Sequence, residues 1–511
     1  MLFNSMQFAI FFPIAVMLYF IIPNRFRNVY LLLVSYIYYM SWEVSYAGLL
    51  LVSTLICYVG AHLLKNDRTL LFKRGVLFLC VFANLFILFI FKYFDLFVPN
   101  NNLNLMLPVG ISFYIFKSIS FIMDVYRGKI VIAGEDGKFE ILDAKSEVVL
   151  AGGTANANSE VKFNFVDYAL YVSFFPQLVA GPIERAPRFF GDLYLKNHDY
   201  DYERVRLGLF RILWGFFLKL VISERLAISV NMIYDNFADA TGYQLVLGTF
   251  LYAFQIYTDF YSYSEIAIGA SKVLGFDAME NFRQPFFAKS CRELWQRWHV
   301  SLNSWFVDYV YIPLGGSKKG SLRKYINVMV VFILSGLWHG ADLSFVVWGA
   351  LSGGFQVAGE LFKAVKRKGG RSGAEVKDSV GGRKYKCGEL CKLVLQIAGT
   401  FICFNIALVF FRADNVEQGL FIFKKILFDF NVASIVTTSP FALGLGVYNM
   451  LFLCAALVVL FVGDLLKEKG FGYEAVFRQR VYIRWGIYFM LAVMILMSAH
   501  LGAGEFIYFK F

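Results

Sequence analysis

Apolar stretches long enough, or nearly long enough, to cross a bilayer's ~30 Å hydrocarbon core recur along this whole chain. They lie near residues 7–22, 28–40, 44–64, 75–94, 108–126, 166–182, 205–232, 244–270, 343–362, 393–412, 441–464 and 483–501. Only 17% of the 511 residues are charged, against about 25% in soluble domains. With a mean hydropathy of +0.58, the chain must live in a bilayer. The expected fold class is an all-α polytopic membrane protein with about eleven crossings, placed in the plasma or inner membrane of the cell.

The first stretch lacks a basic leader and runs into Pro23-Asn24-Arg25-Phe26-Arg27 rather than a small-residue cleavage site. It is therefore expected to be kept as the first span. Lys and Arg gather in 23–28, 65–74 and 465–484, whereas the loop from Asp95 to Met106 has none. Basic residues favour cytoplasmic loops, so the N-terminus is expected outside.

Between Lys363 and Lys392 the chain is Gly-rich, with ten Lys/Arg and three acids. Such a segment is too polar and breaker-rich to pack and reads as a cytoplasmic linker. It separates an expected catalytic body, 1–362, from a C-terminal helical section, 393–511. The net charge of +12 follows from the basic inner loops, aided by attraction to anionic membrane lipids, and does not call for a nucleic-acid partner. The seven cysteines lie mostly in apolar spans and read as small buried hydrophobes. Cys387 and Cys391 lack the second pair a zinc site needs, so no metal is expected.

Residues 128–163 break the membrane pattern. Short β-branched runs flank Glu135-Asp136-Gly137, and a further run, Ser146–Leu150, closes on Gly152-Gly153. They predict a small hairpin.

The only dense polar chemistry lies between two Trp-His pairs, Trp298-His299 and Trp338-His339. At 3.6 residues per turn, Trp295, Trp298, Leu302, Trp305 and Phe306 share one face, while Arg292, Gln296, Asn303 and Ser304 fall off it. This predicts one amphipathic helix too polar to cross lipid alone, its aromatic stripe serving packing. The apolar run 326–338 ends at His339-Gly340, and a second run, 343–362, returns to the basic linker. His339 is thus placed at the top of a membrane hairpin, where irregular backbone persists only beside a cavity or under protein.

Histidine, with an ordinary pKa near 6.5, accepts and returns a proton near neutrality. Gly336 and Gly340 permit close approach and Asp342 is near, so His339 is the first candidate for a catalytic base. His299 is the second, though it serves equally well as a structural tie. Glu293, Arg297 and Asp308 are candidates to orient it or bind a polar donor, with mutual ion pairing as the alternative. His62, His198 and His500 read as hydrogen-bonded structural residues.

At these residues the chain resembles the membrane-bound O-acyltransferase (MBOAT) family, in its AlgI-like branch of alginate and exopolysaccharide O-acetylation. The resemblance rests on Glu293–Leu302 followed by Asp308–Gly316, and on Ser335-Gly336-Leu337-Trp338-His339-Gly340. It extends to Leu107–Tyr114, Asp124–Arg127, Phe174–Ile183, Tyr261–Gly269 and Val409–Ala413, nearly the whole chain. Glu265 stands where relatives often carry Asp, and the 128–163 insertion is longer than usual.

The resemblance implies a ring of tilted helices, with re-entrant and amphipathic elements, around a tunnel. It implies His339 as the catalytic histidine and His299 as the second family position, where some eukaryotic branches use Asn. Trp298, Trp338, Asp308, Arg297 and Glu293 are the candidate substrate-binding residues. The implied reaction moves an acetyl group from a cytoplasmic thioester such as acetyl-CoA, with no tightly bound cofactor, toward an extracellular polysaccharide by way of an extracytoplasmic acetyltransferase partner. The alternatives are D-alanyl transfer from a carrier protein toward teichoic acid, and a transporter or flippase whose histidines relay protons.

Overall fold

The computed structural model describes residues 1–64, 68–94, 98, 107–133, 138–141, 161–179, 181–368, 387–431, 444–498 and 506–507. Helices α1 (Met6–Ile21), α2 (Asn24–Met40), α3 (Val44–Leu63), α4 (Leu70–Lys92) and α5 (Ile111–Tyr126) lead into strands β1 (Ile130–Ala133), β2 (Lys138–Ile141) and β3 (Val161–Phe163). Next come α6 (Phe165–Ser173), α7 (Phe175–Leu178), α8 (Ala186–Leu195) and α9 (Tyr202–Phe216). A π-helical segment, Phe217–Ser223, joins α9 to α10 (Glu224–Tyr234), and α11 (Gly242–Val273) follows. The remaining helices are α12 (Cys291–Arg297), α13 (Val300–Phe306), α14 (Ser321–His339), α15 (Leu343–Lys368), α16 (Cys387–Arg412), α17 (Val416–Phe428), α18 (Val447–Glu468), α19 (Glu474–Phe477) and α20 (Val481–Leu496).

Every expected apolar stretch falls at least partly on a helix. Among the described residues, α3, α4, α14, α15, α16 and α18 are long and apolar enough to cross a membrane, and α1 and α20 are shorter apolar helices. Among the other expected crossings, those on α5, α9 to α10 and α11 bury Ser, Lys, Arg, Asp and Glu side chains. Polar groups at such depth are tolerated when they face protein. The local starts follow ordinary capping chemistry: the Ser5 hydroxyl accepts from Phe8 N at 3.2 Å and Asn415 from Gln418 N at 2.9 Å.

Both ends of the expected linker segment are helical. Lys363 to Lys368 continue α15, and Cys387 already opens α16. Only 369–386 fall outside the described residues.

By internal contacts the chain forms two compact units. The first comprises Met1–Phe216, Ser262–Glu280 and His500–Lys510; the second comprises Phe217–Tyr261, Asn281–Ala499 and Phe511.

In the first unit the insertion carries more than a hairpin. β1 pairs antiparallel with β2, as expected, and β2 pairs antiparallel with β3, setting Phe139 opposite Phe163. Both rings are fully buried. Phe139 meets Phe121 of α5 edge-on at 5.4 Å, and Phe163 stacks on Phe190 of α8 at 3.7 Å. The sheet is therefore anchored into the helical core by its aromatic face. The expected run Ser146–Leu150 lies outside the described residues.

Also in this unit, α9 and the C-terminal half of α11 touch backbone to backbone. A Cβ on Gly208 would stand 2.7 Å from the Gly269 carbonyl oxygen, and one on Gly269 would stand 2.6 Å from that of Gly208. One turn along each helix, that proximity lets Arg211 grip Glu265 through two hydrogen bonds, at 2.7 and 3.0 Å. Arg211 also holds Glu280 through two bonds of 2.8 Å. His198 bridges the carbonyls of Leu274 and Asp192 at 3.1 and 2.9 Å, and His62 reaches the Tyr58 carbonyl at 3.0 Å. Both are structural, as read from the sequence; His500 lies outside the described residues.

In the second unit, Lys219 on the π-helical segment donates to Asp259 of α11 at 2.8 Å, and the Ser223 hydroxyl donates to the same oxygen at 3.1 Å. The dominant supersecondary feature is a hairpin of α14 and α15 joined by Gly340-Ala341-Asp342. α14 has 19 residues, about 28 Å at 1.5 Å per residue, longer than its apolar run implied. The Asp342 carboxylate accepts from Ser344 N at 2.7 Å and so starts the return helix.

Candidate active site

The predicted amphipathic helix is broken at its centre. α12 ends at Arg297, Trp298 is extended, and His299 adopts φ 42° and ψ 54° before α13 begins. A left-handed backbone is rare outside glycine and costs on the order of 1–3 kcal/mol, held only where surrounding contacts over-determine it. Those contacts are present. Asn281 accepts from Val300 N through its carbonyl at 2.9 Å and from the Ser301 hydroxyl through its side chain at 2.6 Å. The Asn303 amide donates to the carbonyls of Trp295 and Trp298 at 2.7 and 2.6 Å. Helical periodicity predicts continuity here because these partners come from a separate segment and from a side chain folding back.

The break projects His299 inward. Its ring is buried and meets Phe260 edge-on at 4.5 Å. His299 lies outside the six spans, and burial holds its imidazole down at about 3, so it is neutral at physiological pH. The unfolded chain, with a histidine pKa near 6.5, binds the proton that the folded state refuses. Stability from this group is full above about pH 6.5 and is lost as pH falls toward 3. The unfolding midpoint of detergent-solubilised protein should therefore drop between about pH 7.5 and about pH 5 by more than that of His299→Asn. Equal drops would contradict a buried neutral ring.

His339 is the last residue of α14, placed by glycines. A Cβ on Gly336 would stand 2.3 Å from the Phe345 carbonyl oxygen, one on Gly349 would stand 2.3 Å from that of Phe332, and one on Gly340 would strike the Phe345 ring. The two helices thus meet along their backbones just below His339. Gly336→Val should push them apart at a cost of about 1–3 kcal/mol, read as a lower unfolding midpoint and reduced folded yield. An unchanged midpoint would show that the hairpin tolerates a wider spacing.

Around His339 stand Trp338 at 4.8 Å, Trp348 at 5.0 Å and Phe411 at 5.1 Å between ring centroids, all near edge-to-face. Trp338 also lies 5.8 Å from His299, so one indole flanks both imidazoles. Trp295, Trp298, His299, Leu302, Asn303, Phe332, Ser335, His339 and Trp348 line one cavity. Its free volume is about 10 Å³ for the centre of a water-sized sphere, room for about one water.

Of the expected site residues, His299, His339 and Trp298 come together on this cavity, and Trp338 packs beside both histidines. Glu293 and Arg297 instead join an ion-pair clamp. Arg297 donates to Glu293 at 2.7 Å and to Glu468 of α18 at 2.6 and 3.1 Å. Asp308 lies half-buried on the π-helical turn Val307–Tyr311 and is not among the residues lining the cavity. Asn303, Ser335 and Trp348 were not singled out from the sequence. Trp348 sits nine residues beyond His339, and only the register of the α14–α15 hairpin brings it back. Among the described residues no group of three His, Cys, Asp or Glu side chains stands ready to hold a metal ion.

The sequence profile of the MBOAT, membrane-bound O-acyltransferase, family matches residues 34–369. The chain is 36% identical over 361 residues to the probable alginate O-acetylase AlgI of Pseudomonas fluorescens, covering 69% of this chain and 65% of that protein, just under two thirds of its length. It is 32% identical over 440 residues to the peptidoglycan O-acetyltransferase of Helicobacter pylori, covering 83% of this chain and 79% of the relative. It is 30% identical over 191 residues to the teichoic acid D-alanyltransferase of Bacillus subtilis, covering 35% of this chain and 47% of the relative.

Proposed function

Given that this chain belongs to the membrane-bound O-acyltransferase family and is a multi-pass membrane O-acyltransferase, we propose that it moves an acetyl group from a cytoplasmic thioester toward a hydroxyl of an extracellular polysaccharide. The observation that carries the reading is the convergence of two histidines from separate helices on one narrow, aromatic-walled cavity. So narrow a space favours a short acyl head over a long chain. His339 takes the proton from the acceptor hydroxyl as its oxygen attacks the thioester carbonyl, then returns it to the departing thiolate. His299, kept neutral by burial, is a hydrogen-bonding group beside the reacting atoms, and Trp298 forms part of the wall. Arg297 and Glu293 act at one remove by holding α12, and with it the strained turn at His299, against α18.

Acetyl is favoured over D-alanyl because the relatives named as acetylases align over twice the fraction of the chain that the D-alanyltransferase does. The basic loops support an N-terminus on the outer side of the plasma or inner membrane, and in this reading a separate extracytoplasmic acetyltransferase completes delivery to the polymer.

The test is the acyl-ester content of extracellular polymer from cells with and without the protein, the released acid identified by mass. Acetate that depends on the protein supports the reading. D-Alanine in its place reassigns the cargo, and no protein-dependent ester overturns polymer acylation.

A further inference from the structure

The chemistry above leaves one requirement unmet: the thioester oxygen gains negative charge when the hydroxyl attacks, and a water-poor aromatic cavity offers few groups to receive it. Trp348 on α15 lines that cavity and is 4% exposed. Its indole Nε1 is buried and has no hydrogen-bond partner among the described residues. Buried donors in folded proteins are overwhelmingly satisfied, and an exception calls for an explanation.

The ring is also held still. Trp295 packs against it edge-on at 5.6 Å, His339 at 5.0 Å and Phe411 at 5.1 Å. Beside it α15 runs backbone to backbone against α14, so close that a Cβ on Gly349 would stand 2.3 Å from the Phe332 carbonyl oxygen. A rigid, desolvated donor placed before the reaction begins is the arrangement that stabilises a developing oxyanion most strongly, because it need not reorganise when the charge appears.

We propose that the Trp348 indole N–H donates to the thioester carbonyl oxygen as it becomes tetrahedral, making Trp348 a catalytic residue that works beside His339. This rests on the acyl-transfer reading. The balanced step is as follows: the acceptor oxygen forms a bond to the acyl carbon and its proton passes to the His339 imidazole. The carbonyl π pair moves onto the oxygen that faces Trp348. That pair then returns, the C–S bond breaks, and the leaving sulfur takes the proton from His339 and departs as the thiol, which restores the neutral imidazole. Trp348 gains and loses no proton and acts only as a donor.

The experiment uses full-length protein in lipid nanodiscs, assayed for thiol release from acetyl-CoA and from a D-alanyl-loaded carrier protein with a soluble oligosaccharide acceptor. Three variants are compared with wild type. Trp348→Phe removes the donor and part of the ring. Incorporation of β-(3-benzothienyl)alanine at position 348 keeps the bicyclic shape and replaces only the N–H with sulfur. Trp305→Phe, on α13 and outside the cavity lining, controls for general loss of an indole.

The expected result is a fall in kcat of roughly 10²-fold for both position-348 variants with KM within about twofold, the signature of an interaction made in the transition state. Trp305→Phe should keep the wild-type kcat. A benzothienyl variant with wild-type kcat overturns the proposal even if Trp348→Phe is slow, since the ring's packing would then suffice. A rise in KM at constant kcat also overturns it, placing Trp348 in ground-state binding. Wild-type protein that releases thiol from neither donor overturns the acyl-transfer reading itself, and this proposal with it.

Discussion

His339→Ala is expected to reach the membrane at near wild-type abundance and to transfer acyl groups roughly 10³-fold more slowly. General-base catalysis contributes about 10² to 10⁴ in rate, and the cavity holds two imidazoles in different settings. His299 is held neutral in a strained turn, whereas His339 ends a helix whose position is set by backbone contacts at Gly336 and Gly349. Alanine leaves a void among Trp338, Trp348 and Phe411, so abundance and unfolding midpoint must be read beside activity. His339→Gln fills more of that void without supplying a base and should be as slow as alanine. Activity within tenfold of wild type for either variant, at matched abundance, would remove His339 as the base.

The largest effect on folding is expected at Arg211, far from the reacting groups in sequence. Glu265 is fully buried and its carboxylate is held on both oxygens by one guanidinium. Removing one partner of a buried ion pair leaves an uncompensated charge and costs about 3–5 kcal/mol, so Arg211→Ala should reduce the folded fraction severely. Glu280, with its side chain 42% exposed, can turn to water and adds little to that loss. The double variant Arg211→Ala with Glu265→Gln should recover much of the stability, because it removes the stranded charge. The check is a thermal scan of each variant in detergent. A double variant no better than Arg211→Ala would show that the helix contact, not the charge, is at stake. Glu265→Asp should be milder than Arg211→Ala, since the shorter side chain keeps the charge balance while stretching the two hydrogen bonds.

Periodicity and hydropathy account for the helices, because each apolar stretch has to satisfy its own backbone wherever lipid replaces water. They also place Glu135-Asp136-Gly137 between two strands, since turn residues between β-branched runs act locally. They do not reveal the third strand, Val161–Phe163, whose pairing with β2 crosses nineteen intervening residues outside the described ones. The same division runs through the site. His299 and His339 are conspicuous as polar residues in an apolar setting, and the Gly336 and Gly340 spacing already indicated close helix approach. Glu293 and Arg297 are conspicuous for the same reason, yet they meet each other and Glu468, a residue 171 positions away.

What the sequence determined by itself is therefore the mainly helical membrane architecture, the family, and the two histidines, all of which rest on residue type and short-range spacing. The tertiary structure alone decided three things: the left-handed turn that aims His299, the return of Trp348 to His339, and the diversion of Arg297 into a clamp. Each depends on partners that helical periodicity does not register, namely Asn281 for the turn, the backbone contact of two helices for the indole, and α18 for the guanidinium. A strained backbone or a buried charge persists only where such partners offset its cost, and those partners are set when the helices pack.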